Sequence, residues 1–386
     1  MVYPHVAVDY LAHLHEVELD TVVESNDNTC QVTIADHTCR IHLPPAFTVV
    51  QAVSFKQQFQ QVCQDHPELK RVILDFGQTK FMDSSGMGAL VASRKLTQKQ
   101  QLELILQNVP PQVMTALSLA ALDKMFVIEQ RSEAPMKAPT TQGTAQPAAV
   151  TSIKSAQLLT NPLPGRSMPK RLMNIVKPGQ PFVTHPSVKS LPKRLIDIAG
   201  SIVGLGITAI VLIPIAVAIK LDSPGPIFFG QVRCSSMGKR FRMWKFRSMV
   251  TDAEKKKHLV KNQASGAIFK NANDPRVTRV GRILRKTSLD ELPQFWNVLK
   301  GEMSLVGTRP PTPDEVERYE IPQWQRLDIK PGMTGEWQVN GRSSVLDFED
   351  IVRLDLKYQE NWSLMYDFKL ILKTIWVIFN KDSGAV

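Results

Sequence analysis

The 386-residue sequence has few cysteines, and they show no ligand or redox spacing. Cys30, Cys39, Cys63 and Cys234 form no Cys-x-x-Cys pair and have no zinc-like spacing with histidine. This pattern argues against a zinc module or a disulfide scaffold and indicates reduced thiols in a cytosolic compartment. The N-terminus also lacks a basic stretch followed by an apolar run, so we expect no signal peptide.

Acidic residues are almost missing from the middle of the chain. Residues 131–190 contain one acid, Glu133, against eight Lys and Arg, together with nine of the 26 prolines. This composition predicts a flexible, proline-rich linker. Its cations Lys170, Arg171 and Lys177 suit contact with anionic lipid headgroups, and a solvated tether explains them equally well.

Negative charge is also scarce in the C-terminal half. Residues 191–386 carry a net charge of +9, whereas residues 1–130 carry −5. A basic surface suits nucleic acid, an anionic membrane or phosphorylated substrates. No zinc-finger or helix-turn-helix pattern is present, and the basic residues cluster around an apolar segment, so we expect no nucleic-acid partner.

Long apolar runs are absent except for one, at residues 195–219, whose only charge is Asp197. Its length is enough for a helix to cross a bilayer. Cations on both sides assign both ends to the cytoplasm. Glycines and Pro214 interrupt the run, and proline kinks a helix. The pattern favours a re-entrant membrane helix over a single crossing, with a buried soluble helix as the third alternative.

Strand and helix patterns alternate in residues 1–130. Short apolar or alternating runs predict strands at 29–34, 38–41, 71–76 and 102–106, and helical spacing predicts helices at 52–63 and 86–98. Such alternation predicts an α/β domain with a mostly parallel sheet.

Two adjacent carboxylates, Asp290 and Glu291, lie among many cations in the C-terminal part. One interpretation is a capping box from Ser288 to Glu291. Another begins the helix at Pro293, with both acids just ahead of it. Either version places Asp290 at the positive end of a helix, which stabilises a carboxylate and attracts phosphate. Taken alone, the pair is explained better by a cap than by an active site.

Two downstream segments suit anion binding. Residues 305–311 place Arg309 before two prolines, and an arginine on a stiff turn suits two-pronged binding of phosphate oxygens. Residues 330–342 are punctuated by glycines and end in Arg342, so backbone amides and a guanidinium are both available there.

Ordered motifs between residues 193 and 379 resemble those of the bacterial sugar transferases, the monotopic phosphoglycosyl transferases. They include Asp-Ser-Pro-Gly-Pro from Asp222, Lys-Phe-Arg-Ser-Met from Lys245, and Leu-Asp-Glu-Leu-Pro-Gln from Leu289. The resemblance implies a mainly helical α+β catalytic domain at 191–386 with a re-entrant helix at 195–219. One departure is that Ala209 and Ile210 replace the Ser-Pro common in that helix, which leaves the depth and angle of the hairpin open.

The resemblance also implies a reaction: transfer of a sugar phosphate from a UDP-sugar to polyprenyl phosphate, with release of UMP, at the cytoplasmic face of the inner membrane. This step initiates exopolysaccharide or related glycan assembly. Asp290 would be the nucleophile that carries a covalent phosphosugar. Glu291 would hold Mg²⁺. Arg282, Arg309 and Arg342 are the candidates for binding phosphate or nucleotide, although a solvated charge explains Arg282 equally well.

Residues 71–90 resemble STAS domains, the family of anti-sigma factor antagonists, through a buried strand followed by Asp83-Ser84-Ser85-Gly86. The resemblance implies a regulatory α/β domain at 1–130 and makes Ser84 a candidate for phosphorylation by a partner kinase. Helix capping by Asp83 and Ser84 explains the same residues.

Two whole-chain possibilities stay open. The alternative to an enzyme is a membrane-anchored signalling adaptor that binds nucleotide sugar without turnover. The apolar run at 368–379 suits either the membrane interface or a homodimer contact.

Overall fold

A computed structural model describes residues 30–129, 185–269, 271, 273–340, 345 and 347–379. Arg342 and nearly all of the predicted linker lie outside these residues. The four cysteines lie within them as free thiols, in agreement with the predicted reduced state, and all four are buried, which the sequence does not predict.

The N-terminal domain is the predicted α/β unit. Its strands are β1 Gln31–Ala35, β2 Thr38–His42, β3 Ala46–Phe47, β4 Arg71–Asp75, β5 Phe81–Met82, β6 Glu103–Gln107 and β7 Val127–Glu129. Its helices are α1 Val49–Asp65, α2 Ser84–Lys99 and α3 Pro111–Leu119, followed by the 3-10 helix Asp123–Met125.

The main sheet of this domain has the order β1-β2-β4-β6-β7. Only the β1–β2 pair is antiparallel, so the prediction of a mostly parallel sheet is confirmed. Three consecutive residues of β4, Val72, Ile73 and Leu74, are buried, as expected for a central strand of a parallel sheet. Asp83 caps α2 by accepting a hydrogen bond from the amide of Gly86 at 2.9 Å.

The C-terminal domain is mainly helical with two small sheets, as the sequence predicts. Its strands are β8 Phe228–Cys234, β9 Arg240–Phe246, β10 Ser304–Val306 and β11 Gly332–Thr334. Its helices are α4 Pro186–Lys189, α5 Leu191–Asp222, α6 Arg279–Lys286, α7 Gln294–Lys300, α8 Pro313–Val316, α9 Glu336–Asn340, α10 Phe348–Glu360 and α11 Leu364–Phe379. The 3-10 helices Ser236–Gly238, Lys257–Leu259, Leu289–Glu291 and Ile321–Asp328 lie between them.

Among the described residues, α5 is the one helix that is long and apolar enough to cross a membrane. It has 32 residues, a length of about 48 Å at 1.5 Å per residue. The sequence predicts a hairpin here, but the structure has one uninterrupted helix that continues through Pro214. Residues on both sides of the proline, including Val211 and Ile215, pack in one cluster with Phe246, and these shared contacts hold the two halves as one element.

One face of α5 contacts the C-terminal domain along the whole helix. Near its start, Lys193 pairs with Asp367 at 2.5 Å. In the middle, the Thr208 hydroxyl donates to the Gly204 carbonyl of its own helix and lies 3.4 Å from the Leu292 carbonyl of the domain, and near the end Ile219 is buried. The opposite face is apolar and exposed; it includes Ile202, Val203, Ile207, Ile210, Ile213 and Val217.

The two domains share a hydrophobic core. One continuous cluster of buried residues joins Phe47 and Leu90 of the N-terminal domain to Val316, Trp324 and Ile351 of the C-terminal domain. The contact between them runs mainly from α2 to the 3-10 helix Ile321–Asp328.

Candidate active site

Asp290 lies in a tight turn between α6 and α7. It is part of the 3-10 helix Leu289–Glu291 and is only 5% exposed. The turn begins at Ser288, whose φ of 56° is in the left-handed region that non-glycine residues rarely adopt. The Ser288 side chain forms no cap hydrogen bond to this 3-10 helix, so the predicted capping box is wrong. The other version is confirmed, because α7 begins just after Pro293, with both acids ahead of it.

Glu291 forms an ion pair with Lys245 of β9, with Nζ 2.8 Å from Oε1. Asn297, which is fully buried on α7, fixes the relative position of the two elements. Its amide nitrogen donates to the Arg242 carbonyl at 2.8 Å, and its side-chain oxygen accepts from the Trp244 amide at 3.1 Å. The helix after the acidic pair is therefore bonded to the strand that carries Lys245.

Arg285 is the cation whose charge is coupled to Asp290. Burial lowers the pKa of the Arg285 guanidinium, and the charge of Asp290 is the largest effect opposing that shift. The Arg285 Nε donates to the Ser248 hydroxyl at 3.0 Å, which holds the side chain against the end of β9. The acidic pair thus has two cations beside it, one near each carboxylate.

Arg309 belongs to a second cluster. Its guanidinium makes two hydrogen bonds to the Glu315 carboxylate, at 2.9 and 3.1 Å. Burial alone would raise the pKa of Glu315, but Arg309 outweighs it and holds that pKa at about 2. Arg233 of β8 is also near, and burial and the charge of Arg309 lower its pKa to about 10. The charges of these two arginines are offset by Glu315 and, at Arg233, also by Glu254.

The remaining predicted residues lie in different places. Arg282 is exposed on α6; a hydrogen bond from Thr278 is the main cause that lowers the pKa of Asp222 at the end of α5, and the charge of Arg282 adds a smaller effect. Ser84 is fully buried, and its hydroxyl donates to the Trp324 carbonyl at 2.7 Å, so it lies in the contact between the domains. Of the Asp83–Ser84 pair, Asp83 is the one that caps α2.

The acidic pair fits a metal ion that arrives with its substrate. Among the described residues, no group of three or more His, Cys, Asp and Glu side chains is arranged to hold a metal. Mg²⁺ is commonly bound through one or two carboxylates together with substrate phosphates. The hard oxygen ligands of Asp290 and Glu291 match that mode.

Sequence reasoning missed the partners of the candidate residues. Of these partners, Glu315 had the clearest sequence signal, because Thr312 and Glu315 follow the capping-box spacing and do form that box. Lys245 gives a weaker signal, since alternating aromatic and cationic residues in β9 suit a strand without indicating which acid the lysine contacts. Asn297 gives no signal, since its role depends on the approach of two distant elements.

Comparison with known proteins gives the family. The bacterial sugar transferase model matches residues 188–381, half of the chain and the part that holds every candidate residue except Ser84. The STAS domain model matches residues 29–134. The chain belongs to the bacterial sugar transferase family and carries an N-terminal STAS domain.

Three curated relatives match the transferase half. Galactosyl transferase CpsE of Streptococcus agalactiae is 53% identical over 49% of this chain and 42% of its own. Undecaprenyl-phosphate galactose phosphotransferase of Salmonella typhimurium is 45% identical over 50% and 41%. UDP-glucose:undecaprenyl-phosphate glucose-1-phosphate transferase of Escherichia coli is 43% identical over 49% and 40%. The matched region spans about two-fifths of the length of each relative.

A solved structure resembles part of the chain outside the transferase region. The putative anti-sigma factor antagonist of Thermotoga maritima is 19% identical, with a TM-score of 0.24, over 26% of this chain and 86% of its own.

Proposed function

We propose that this protein transfers a sugar 1-phosphate from a UDP-sugar to undecaprenyl phosphate or a similar polyprenyl phosphate, and so initiates the assembly of an exopolysaccharide or related glycan. The observation that carries the proposal is the buried Asp290 beside Glu291, within a region that matches the transferase family from end to end. The names of the Salmonella and Escherichia coli relatives describe phosphosugar transfer to undecaprenyl phosphate.

In the first step, a carboxylate oxygen of Asp290 attacks the phosphorus that bears the sugar. The bond from that phosphorus to the UMP oxygen breaks, and UMP leaves with the electron pair. The sugar phosphate is then held on Asp290 as an acyl phosphate. Covalent catalysis suits this reaction because it replaces one displacement between two bulky anions by two separate ones.

In the second step, a phosphate oxygen of the polyprenyl phosphate attacks the same phosphorus and displaces the Asp290 carboxylate. The lipid diphosphate sugar leaves, and the carboxylate is restored. Arg285 and Lys245 are the cations beside the acidic pair, and they offset the negative charge that collects there. Arg309 and Arg233 are the proposed ligands of the nucleotide phosphate, which would share the Arg309 guanidinium with Glu315.

Glu291 is the member of the acidic pair that we propose as the ligand for Mg²⁺. When bound, the ion would neutralise diphosphate charge and stabilise the leaving group. Glu291 is the better placed of the two, because its carboxylate is partly exposed whereas Asp290 is buried.

We also propose that α5 lies at the cytoplasmic face of the inner membrane as one continuous helix that does not cross the bilayer, with both ends on that side. The C-terminal domain contacts this helix near its start, middle and end, so a helix crossing the bilayer would carry the domain into the lipid. The exposed face of α5 is apolar and suits acyl chains. One face of α11 is similar, with Met365, Phe368, Leu372, Ile375 and Trp376 exposed.

The experiment is a UMP-release assay with purified protein, Mg²⁺, polyprenyl phosphate and a panel of UDP-sugars. UDP-galactose and UDP-glucose come first, because the relatives are named for these sugars. Wild type should release UMP with at least one donor, and Asp290→Asn should reduce the rate by about four orders of magnitude. Asp252→Asn, a change at an exposed acid, should have no effect.

The alternative function is a membrane-anchored adaptor that binds nucleotide sugar without turnover. Binding of a UDP-sugar with no UMP release for any donor would support the adaptor and reject the transferase.

A further inference from the structure

The STAS domain contacts the transferase domain through the first turns of α2. The Ser84 hydroxyl lies 2.7 Å from the Trp324 carbonyl and 2.5 Å from Asp328 Oδ1. The Ser84 amide also donates to Asp328 Oδ1, at 3.3 Å. Both acceptors belong to the 3-10 helix Ile321–Asp328, so the start of α2 is bonded directly to that helix.

A glycine allows this close contact. A Cβ atom added at Gly88 would lie 2.6 Å from Cδ1 of the Trp324 indole, which is itself buried. Any larger residue at position 88 therefore has to displace the indole or separate the domains. At the exposed rim, Lys56 pairs with Glu320 at 2.7 Å, and Lys95 donates to a backbone carbonyl of the transferase domain.

The other side of the same 3-10 helix supports the Arg309 turn. The Arg326 carbonyl accepts a hydrogen bond from the Thr308 hydroxyl at 3.2 Å. The Arg326 guanidinium is fully buried, forms an ion pair with Asp355 at 2.7 Å and reaches the Arg309 carbonyl at 3.5 Å. One short helix therefore contacts the STAS domain on one side and the proposed phosphate-binding turn on the other.

We propose that the STAS domain positions the transferase site. Ser84 and Gly88 are the residues through which α2 holds the 3-10 helix Ile321–Asp328. That helix in turn holds the Thr308–Arg309 turn. The proposal rests on the function proposed above, because Arg309 must contact the donor for its position to matter. Because Ser84 is fully buried in this contact, its phosphorylation would require the domains to separate first.

Two carboxyls make the contact sensitive to protons. Burial, and then the charge of Asp328, raise the pKa of Asp83 well above its ordinary range, and burial raises the pKa of Asp328 to about 6. The Ser84 hydroxyl has one proton but lies within hydrogen-bond distance of two acceptors, the Trp324 carbonyl and Asp328 Oδ1. A proton on Asp328 would supply the second donor. The other charges at the contact, Lys56, Glu320 and Lys95, lie at its rim, while Arg326 is turned towards Asp355.

The sign of the pH effect follows from these raised pKa values. The docked state binds more protons than the separated state, so docking should weaken as pH rises from about 4, the usual pKa of an aspartate, through about 6, the pKa of docked Asp328, and should change little above about 7. Asp328→Asn keeps an oxygen acceptor for Ser84 and removes the charge. This variant should dock well at pH 8 and lose most of the pH dependence.

The test uses full-length protein. Carbodiimide joins an amine directly to a carboxylate, so it should cross-link Lys56 to Glu320. In a mixture of isotope-labelled and unlabelled protein, the cross-linked peptides should carry one isotope only, which shows docking within one chain.

Gly88→Ala should reduce the yield of this cross-link by at least about tenfold, although alanine favours a helix more than glycine does. In a Trp324→Ala background, the same change should have no further effect.

Kinetic measurements distinguish a STAS domain that positions the transferase site from one that is only attached to the transferase domain. Gly88→Ala should raise KM for the UDP-sugar several-fold with a smaller change in kcat. Dyes on cysteines introduced at the exposed positions Gln60 and Arg353 should show energy transfer that falls from about pH 5 to about pH 7 in wild type and stays level in Asp328→Asn.

Each failure has a distinct meaning. Mixed-isotope cross-links, or a cross-link unchanged in Gly88→Ala, would reject docking within the chain. A lost cross-link with unchanged KM would reject the positioning role. A wild type that cross-links normally but turns over no donor would reject the proposed function and leave the docking intact.

Discussion

At the scale of single residues, the two acids of the candidate site differ in environment although they are neighbours in sequence. Asp290 is buried in a tight turn near Arg285, while Glu291 is partly exposed and paired with Lys245. A buried carboxylate with a fixed position suits a nucleophile, and a carboxylate at the edge suits a metal ion that arrives with its substrate. The different roles we propose follow from this difference in exposure.

The Lys245–Glu291 pair leads to a test of the metal assignment. Lys245→Gln removes a cation that competes with Mg²⁺ for the Glu291 carboxylate. The Mg²⁺ concentration for half-maximal UMP release should fall roughly three- to tenfold, as expected for loss of a partly exposed charge. Lys300→Gln is the matched control, because Lys300 also pairs with a nearby glutamate but lies at the surface. An unchanged Mg²⁺ dependence in Lys245→Gln would argue against Glu291 as the ligand.

The sequence identifies the acidic pair but not its surroundings. The motif from Ser288 to Glu291 fits a capping box as well as the one from Thr312 to Glu315, yet only the second forms. Ser288 adopts a left-handed backbone that ends α6 and prevents the first box, and spacing alone does not reveal this. The pairing of Arg309 with Glu315 likewise depends on a turn that the prolines suggest but do not specify.

At the scale of elements, α5 has two different faces: one packs on the protein and the other suits contact with lipid. Small or polar residues, including Ser201, Gly204 and Thr208, face the domain and allow α7 to approach closely. Branched apolar residues occupy the opposite face. Hydropathy alone does not reveal this division, because both faces contribute to one apolar run.

Two glycines of α5 provide a matched test of this packing. A Cβ atom at Gly204 would lie 2.4 Å from the ring of Phe295, while one at Gly206 would meet nothing within 4 Å. Gly204→Leu should therefore destabilise the protein by about 1–3 kcal/mol. Gly206→Leu should be neutral, or stabilising by up to about 1 kcal/mol. Thermal unfolding in detergent measures both, and equal losses of stability would contradict the packing.

The topology of α5 has a direct chemical test. Leu191 and Leu221 lie at opposite ends of the helix and are 76% and 84% exposed. Cysteines introduced there one at a time should react only with a thiol reagent on the cytoplasmic side. The native thiols should stay silent, because burial raises the pKa of each of them to about 11 or 12. Reaction of the two ends from opposite sides would show a crossing helix.

Secondary structure was largely predictable in the STAS domain and less so in α5. The strand predictions agree with β1, β2, β4 and β6 to within one or two residues at most ends, since alternation and buried runs are local signals. Whether α5 bends into a hairpin is not decided by local sequence signals. The hairpin prediction relied on glycines and Pro214, but contacts with the domain on both sides of the proline keep the helix in one piece.

At the scale of the whole molecule, the chain has two domains with one core. Buried residues of both domains form a continuous cluster, and the contact includes Trp324, which is 4% exposed. A shared core of this kind makes the stability of each domain depend on the other. The linker prediction gave no indication of it, since an extended tether is equally compatible with independent domains.

Calorimetry tests the shared core. Wild type should unfold in one transition, because separating the domains exposes part of a common cluster. Trp324→Ala should remove about 3–5 kcal/mol of packing and divide the trace into two transitions. Two separate transitions in wild type would contradict a shared core.

The most direct test of the central claim is the mass of the protein after reaction with a UDP-sugar in the absence of polyprenyl phosphate. We predict a gain equal to one sugar phosphate, located on the peptide that contains Asp290, and its loss when polyprenyl phosphate is added. Asp290→Asn should gain nothing. UMP release without any adduct in rapidly quenched samples, or an adduct on another residue, would contradict the account.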